Sequence, residues 1–526
     1  MSYKAIRGSA VSIEFLSTFG FKEDPFASTN AADEPLIERY FVNPPFFPAV
    51  VGDPAAPKSN VVFAPRGGGK TAQKIMIEKR SAEAKFFLCV TYDRFQTEGL
   101  KSPKDATSEY HLTNMSRIIL LALLVDIEDK GYLPEDFDDT DKRLIISLSR
   151  ALLGGISKEK FKEALTSIKS IGDKTGELFS RYGGVAIGLL NVVSVRFGFG
   201  KFEVATAKYK PLDETIRFQF EALIPLAKKF GYKSVYILVD RVDELPITAS
   251  DASKTFDFLE SILIDLPLLE ISGVAFKFFL WDKMREDYQS AGGRPDRLLE
   301  YVLDWSVEDL GTVLTKRLMT YSNGEITQFD QILAGDTPYN VHKMITYFAH
   351  GSPRDMVRIC KKITDEHTRT GRYSARIEFR TVKSALVNFS SERARELYGQ
   401  VYADLRRVGE LTFTINKLAN ETFRVTTQAA RSKVQKWQSS GAVVKIGEIP
   451  NPGNRPQYLY GVVDPRLAIA VIAETSLEEY LEYYLVICPH CSELRIVEEG
   501  DITCPDCQGI FKAGDAHTLD MVCREV

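Results

Sequence analysis

The sequence has little excess of charge of either sign. Lysine and arginine total 67, aspartate and glutamate 71, and the formal net charge is -4 over 526 residues. Any contact with nucleic acid must therefore come from a local patch. Cysteine is scarce as well. Seven in a chain this long make no disulfide scaffold, and four of them form two CxxC pairs, which point to zinc in a reducing compartment. Long apolar runs are missing too. Met1-Ser2-Tyr3-Lys4-Ala5 lacks the core of a signal peptide. The most apolar stretch, Gly183 to Val195, contains Asn191, is followed by Arg196, and falls short of the ~20 residues of a membrane span. A cytoplasmic protein without membrane contact is expected. There is no internal repeat and no low-complexity tract.

What is present is an ordinary globular composition, 44% hydrophobic and 26% charged, which supports real cores. At ~100–200 residues per domain, the length implies roughly three to five domains. Residues 1–56, rich in Pro, Phe and acids, read as an irregular entry segment. Residues 57–305 alternate strand and helix signals. Ser59–Ala64, Phe86–Thr91, Ser234–Val239, Val274–Trp281 and Tyr301–Trp305 are apolar runs of strand length. Helices are expected over Thr71–Ala84, 107–130 and Glu214–Phe230. This alternation implies an α/β fold with a parallel sheet and helices on both faces. A helical insertion fills about 100–210, broken at Gly154-Gly155 and Gly172, and 183–207 suggests a hairpin. Residues 306–388 read as helical, 389–474 as mixed α/β, and 475–526 as a cysteine-bearing tail.

The sharpest pattern is Ala64-Pro65-Arg66-Gly67-Gly68-Gly69-Lys70-Thr71. A strand delivers this loop and a helix follows it. Backbone N–H groups of such a loop cradle phosphate oxygens, and the helix N-terminus adds the positive end of its dipole. Gly67, Gly68 and Gly69 permit close approach and unusual φ angles. Lys70 would reach the β- and γ-phosphates, and the Thr71 hydroxyl would hold Mg²⁺. Ala64 stands where a glycine is usual, which a negative φ allows. The expected ligand is ATP with Mg²⁺. Far downstream, Ile237-Leu238-Val239-Asp240-Arg241-Val242-Asp243-Glu244 ends a buried strand in acids. Asp240 would complete the Mg²⁺ shell. Asp243 or Glu244, with Glu244 preferred, would orient or deprotonate the attacking water. Loop and acids together predict a P-loop ATPase.

Over about 57–474 these segments resemble the AAA+/STAND branch of P-loop ATPases, with origin-recognition-like and NACHT-like features. The acidic segment is similar to the STAND pattern, with Arg241 where a small residue usually follows the first Asp. A typical AAA+ protein has Glu directly after that Asp. The resemblance implies three more site residues. Asp282, after Trp281, would sense the γ-phosphate. Arg297, in Arg294-Pro295-Asp296-Arg297, would be an arginine finger acting on a neighbouring subunit of an ATP-bound homo-oligomer. Arg354, in Gly351-Ser352-Pro353-Arg354-Asp355, would bridge a helical lid (306–388) to the phosphates, so that lid angle follows the nucleotide.

In 389–474 a helix over 391–409, a strand Leu411–Thr414, a helix from Lys417 to Phe423 and a helix capped by Thr426 or Thr427 precede strands at Val443–Gly447 and Tyr458–Val463. That is the winged-helix order, in which the third helix enters a DNA groove and the wing touches the backbone. Arg431, Lys433, Lys436, Lys445 and Arg455 would be the contacts to DNA or RNA, although such modules also serve internal packing. In the tail, Cys488, Cys491, Cys504 and Cys507 form two CPxC knuckles that would close on a structural Zn²⁺ in a small zinc ribbon. Two main functions fit. One is a switch whose nucleotide state repositions the winged helix and zinc ribbon on nucleic acid. The other is a STAND-like signalling or antiviral-defence ATPase that oligomerises and senses a protein partner. A non-enzymatic regulator fits less well, because the hydrolytic residues are present.

Overall fold

The apolar runs that lack polar alternation become strands buried along their length: β1 (Asn60–Ala64), β2 (Phe87–Tyr92), β3 (Ser234–Val239) and β4 (Val274–Trp281). Strands of this kind need cover on both faces, which a parallel sheet with flanking helices supplies. β5 (Leu299–Val302) is the more exposed edge. The order is β2-β3-β4-β1-β5, with every pair parallel. The computed structural model describes residues 13–84, 86–154, 157–168, 186–197, 215–335, 337, 339–371, 373–449, 456–472, 476–483, 485–490, 494–496, 501–504, 507–512 and 517–518.

Register fixes what the sheet presents at its carboxyl edge. Ala64 pairs with Trp281, and Tyr92 pairs with Val239. The residues that follow (Pro65, Asp93, Asp240 and Asp282) therefore emerge along one edge. Because β1 lies between β4 and β5 while β4 and β3 separate it from β2, the chain leaves β1 at a switch of direction. Ligands of open α/β sheets bind in the crevice that such a switch creates.

The helices on the sheet carry ordinary caps. Thr107 accepts from Tyr110 at the start of Ser108–Asp129, Thr215 caps Ile216–Lys229, and Asp251 caps Ala252–Leu263. Most of the 108–127 stretch is buried inside the protein, although its length and composition alone would let it cross a membrane. It is a core helix here. His111 on it is a satisfied core group. Phe258 carbonyl oxygen can only accept, so Nε2 donates to it (2.8 Å) and Nδ1 takes the Tyr92 hydroxyl (3.0 Å). Burial pushes this imidazole down to about 4.

Three expectations need correction. The hairpin expected over 183–207 is a helix, Ala186–Arg196, within the described residues. Leu189, Val193 and Phe197 recur at helical spacing and are buried, and Arg196 donates to Ile127 carbonyl at 2.9 Å. Tertiary burial overrides the β-branched composition. Residues 198–214 and the break expected at Gly172 lie outside the described residues. The fifth strand starts and ends earlier than expected, because Leu303 donates to Phe63 carbonyl (2.8 Å) and Ser306 then caps helix Val307–Tyr321. The helix expected over 391–409 is two, Phe379–Tyr398 and Gln400–Val408, parted at Gly399 with φ 48°.

Contacts divide the chain into two units, Asn43–Asp304 and Met1–Val42 with Trp305–Val526. The sheet belongs to the first. In the second, Arg317 anchors the N-terminal segment. Its guanidinium, 5% exposed, pairs with Glu34 (4% exposed) and donates to Tyr40 Oη and to Pro25 carbonyl. Tyr40 and Tyr321 hydroxyls donate to the other Glu34 oxygen, both at 2.9 Å. The same unit holds helices Val341–Ala349 and Pro353–Arg369. Then come β6 (Thr412–Thr414), a short helix Ile415–Lys417 running into a π-helical turn Leu418–Thr422, helix Thr427–Ser439, β7 (Val443–Ile449) and β8 (Gln457–Val462). The small sheet has the order β6-β8-β7, antiparallel. Ala430, Val434 and Trp437 are buried, with Trp437 edge-on to Phe413 at 5.6 Å. This is the winged-helix order.

Candidate functional site

The phosphate-loop residues assemble at the end of β1. Gly67 and Gly69 take φ 83° and 99°, which side chains disfavour. At Gly68 a Cβ would lie 3.0 Å from Pro65 carbonyl oxygen and 3.3 Å from Ala64 Cβ. Ala64 is the last strand residue, fully buried, and is absent from the positive-φ residues, so its methyl group is tolerated. Lys70 opens helix Lys70–Ala84. Its Nζ donates to the carbonyls of Ala64 (2.8 Å) and Pro65 (3.1 Å), folding back over its own loop.

Thr71 and Asp240 meet as expected, with Thr71 Oγ1 donating to Asp240 Oδ2 at 3.1 Å. Asp240 is 1% exposed, and its other oxygen accepts from Arg241 N–H at 2.9 Å. Arg241 itself adopts φ 63°. A residue with a Cβ in that left-handed conformation costs about 1–2 kcal/mol. Val242–Glu244 then form a 3-10 turn.

The two candidate bases part company in this turn. Arg66 Nε donates to Asp243 Oδ2 (2.8 Å), Arg66 Nη2 donates to Asp243 carbonyl (2.9 Å), and the guanidinium lies 4.2 Å from the Trp281 ring centroid. Asp243 is thus a clamp partner for the loop. Glu244 is exposed and makes no side-chain hydrogen bond or ion pair among the described residues. Asp282 follows β4 and accepts from Lys283 N–H at 2.9 Å. Arg297 is held within its own chain by both oxygens of Glu270 at 2.8 Å. Arg354 belongs to the other unit, exposed in the first turn of helix Pro353–Arg369.

Lys74 and Asp93 were not singled out from the sequence. Lys74, one helical turn after Lys70, has a side chain 4% exposed and donates to Asp93 Oδ2 at 2.7 Å. It also approaches Asp240 Oδ2 at 3.5 Å and Glu78 Oε1 at 4.0 Å. Burial pushes the ammonium pKa down, but Asp240, Asp93 and Glu78 outweigh it and hold it above the ordinary lysine value. The signal was available: an i, i+4 lysine after the loop lysine, and an acid directly after a buried strand.

The basic set on the winged helix is smaller than expected. Arg431 and Lys436 are exposed on helix Thr427–Ser439. Lys433 is paired with Asp404 at 2.9 Å and lies 4.8 Å from the Phe423 ring centroid. Lys445 is paired with Glu448 at 2.8 Å and covers Tyr458. Both are spent on local packing. Arg455 lies outside the described residues.

In the tail, the sulfurs of Cys488, Cys504 and Cys507 lie within 4.8 Å of one another. Cys488 Sγ and Cys507 Sγ are 3.8 Å apart, and tetrahedral Zn²⁺ with Zn–S of about 2.3 Å sets its sulfurs about 3.8 Å apart. Gly509 N–H points at Cys507 Sγ (3.4 Å), and a Cβ on Gly509 would fall 2.5 Å from the His490 ring. The residues fit the metal. Cys491 lies outside the described residues. Cys89 and Cys360 are buried.

No family model matches the chain, and no curated protein matches it. Solved structures do. The chain is similar to the Aeropyrum pernix ORC1 protein in complex with DNA, at 13% identity and TM-score 0.34, covering 84% of this chain and 90% of that one. It is similar to the Aeropyrum pernix ORC2 protein in ADPNP-ADP complexes, at 12% identity and TM-score 0.36, covering 84% and 97%. It is also similar to Cdc6p from Pyrobaculum aerophilum, at 10% identity and TM-score 0.33, covering 86% and 99%. The core sheet of the chain is five-stranded and parallel.

Proposed function

We propose that this chain is an ATP-binding and ATP-hydrolysing switch whose nucleotide state controls its C-terminal part, with DNA as the partner of the winged helix. The observation that carries the reading is the hydrogen bond from Thr71 to Asp240 beneath the glycine loop. A hydroxyl and a carboxylate side by side under such a loop support a site where Thr71 and Asp240 would hold a phosphate-bound Mg²⁺. These two side chains would hold the ion, whose chemistry would be to offset phosphate charge. Gly67 and Gly69 would supply N–H groups to the phosphates while Gly68 N–H closes the loop's own turn on Pro65 carbonyl at 3.0 Å, and Lys70 would exchange two carbonyls for phosphate oxygens. Asp282, which follows β4 on the same edge, would sense the γ-phosphate.

Glu244 is the base in this reading, since Asp243 is tied to Arg66. Glu244→Gln should retain ATP binding and lose hydrolysis by about 10²–10⁴-fold, the usual scale of a general base. Full turnover in this variant, measured as phosphate release, would remove Glu244 from the role. Arg431 and Lys436 support a DNA contact. Binding that weakens with salt and drops in Arg431→Ala/Lys436→Ala fits it. A hydrolysis rate indifferent to DNA and raised by a protein partner would favour a signalling or defence ATPase.

Zn²⁺ at Cys488, Cys491, Cys504 and Cys507 would be structural, since four thiolates leave no open position. The purified chain should carry one zinc per molecule, and chelation should unfold the tail while ATP binding persists. A chain that takes up no zinc when it is supplied contradicts the assignment.

A further inference from the structure

Lys74 has no part in the loop reading. It reaches the site from behind, with its side chain 4% exposed. Its Nζ sits between two carboxylates that close adjacent strands, Asp93 after β2 and Asp240 after β3. The distances are unequal. Asp93 holds it at 2.7 Å, and Asp240 Oδ2 lies at 3.5 Å. That Oδ2 is the oxygen that accepts the Thr71 hydroxyl, while Oδ1 accepts from Arg241 N–H. Asp240 is therefore fixed on both oxygens, and a cation stands one step back from the oxygen that faces Thr71.

We propose that Lys74 is a positioning residue for the nucleotide's Mg²⁺: parked on Asp93, it holds Asp240 beside Thr71 without taking the carboxylate for itself. The proposal rests on the reading above that the loop holds Mg²⁺-nucleotide. Two buried carboxylates on neighbouring strands repel each other, and a shared ammonium offsets that repulsion and keeps them adjacent. Asp93 is the second half of the device. It draws the ammonium far enough from Asp240 for a divalent ion to bind there.

Two variants separate the halves. Lys74→Met removes the cation and leaves Asp240 facing Asp93. Asp93→Asn removes the anchor and leaves Lys74 to pair with Asp240 in competition with the metal. Both should raise the Mg²⁺ concentration needed for half-maximal binding of a fluorescent adenine nucleotide, by about tenfold, a 1.4 kcal/mol change. Binding measured in EDTA should stay as in the unaltered chain, which a loss of folding would not permit. Lys74→Arg should recover most of the metal response.

The experiment titrates Mg²⁺ at fixed nucleotide for the unaltered chain, the two variants and Lys74→Arg. An unchanged Mg²⁺ requirement in Asp93→Asn overturns the proposal even where Lys74→Met fails to fold. So does a lowered requirement in Lys74→Met, which would make Lys74 a competitor. An unaltered chain that binds no adenine nucleotide overturns both this proposal and the reading it rests on.

Discussion

Lys70→Ala should lose about 10–100-fold in ATP affinity, the range expected when one charge-assisted hydrogen bond to phosphate is removed. Folding should be little affected. In the structure the Lys70 ammonium donates to the Ala64 and Pro65 carbonyls, which are neutral acceptors, so removing it leaves no uncompensated charge on them. The variant therefore separates affinity from stability. Calorimetric titration with ATP and a thermal melt on the same sample check it. Unchanged affinity would mean that phosphate is not held at this loop.

Asp355→Ala should be the most damaging single change in the other unit. The Asp355 side chain is fully buried and accepts from Arg466 at 2.6 Å and Arg393 at 2.9 Å, with Arg358 at 3.5 Å. Arg466 also pairs with Asp464 at 2.7 Å, and Tyr398 hydroxyl donates to Asp464 at 2.8 Å. Burial pushes the Asp464 carboxyl pKa up, and Arg466 overcomes it and holds it well below the usual range. Arg393 and Tyr398 sit on helix Phe379–Tyr398, and Arg466 on helix Pro465–Val471, just after β8. Removing one partner from a buried ion pair leaves an uncompensated charge, at a cost of about 3–5 kcal/mol. Denaturant unfolding should show that loss. Arg354→Ala, one residue away and exposed, should leave stability unchanged and alter only the nucleotide response. Equal stability losses in the two variants would contradict this division.

The adjacency bears on the proposed switch. Arg354 and Asp355 share the first turn of one helix, and Asp355 is bonded to the helix that leaves the small sheet. Under that proposal, a displacement at Arg354 would meet the buried Asp355–Arg466 bond next to it. Networks of this kind have two arrangements more readily than a continuum.

Much of the core was legible in the sequence because its strands are continuous apolar runs. Such runs have few other fates in a chain with this composition. The glycine loop and Asp240 were legible because phosphate and Mg²⁺ demand particular residue types at a strand end. The helix Ala186–Arg196 was not legible, because Val and Ile favour strands locally and only burial against neighbouring helices decides otherwise. Lys74 and Asp93 were missed because a lysine on an amphipathic helix usually faces solvent. Its burial depends on two strands that are distant in sequence. Lys433 was expected at a DNA surface, but Asp404 on helix Gln400–Val408 captures it. The entry segment, read as irregular over 1–56, gave no sign in the sequence of its partner, and the Glu34–Arg317 pair ties its first part to the second unit.

The most direct test of the account is equilibrium binding of ATP to the unaltered full chain with Mg²⁺ present, followed by phosphate release from the same complex. The account predicts saturable binding at one site per chain and slow release that depends on Mg²⁺ and responds to double-stranded DNA. A chain that binds no ATP at millimolar concentration, with or without Mg²⁺, would contradict it.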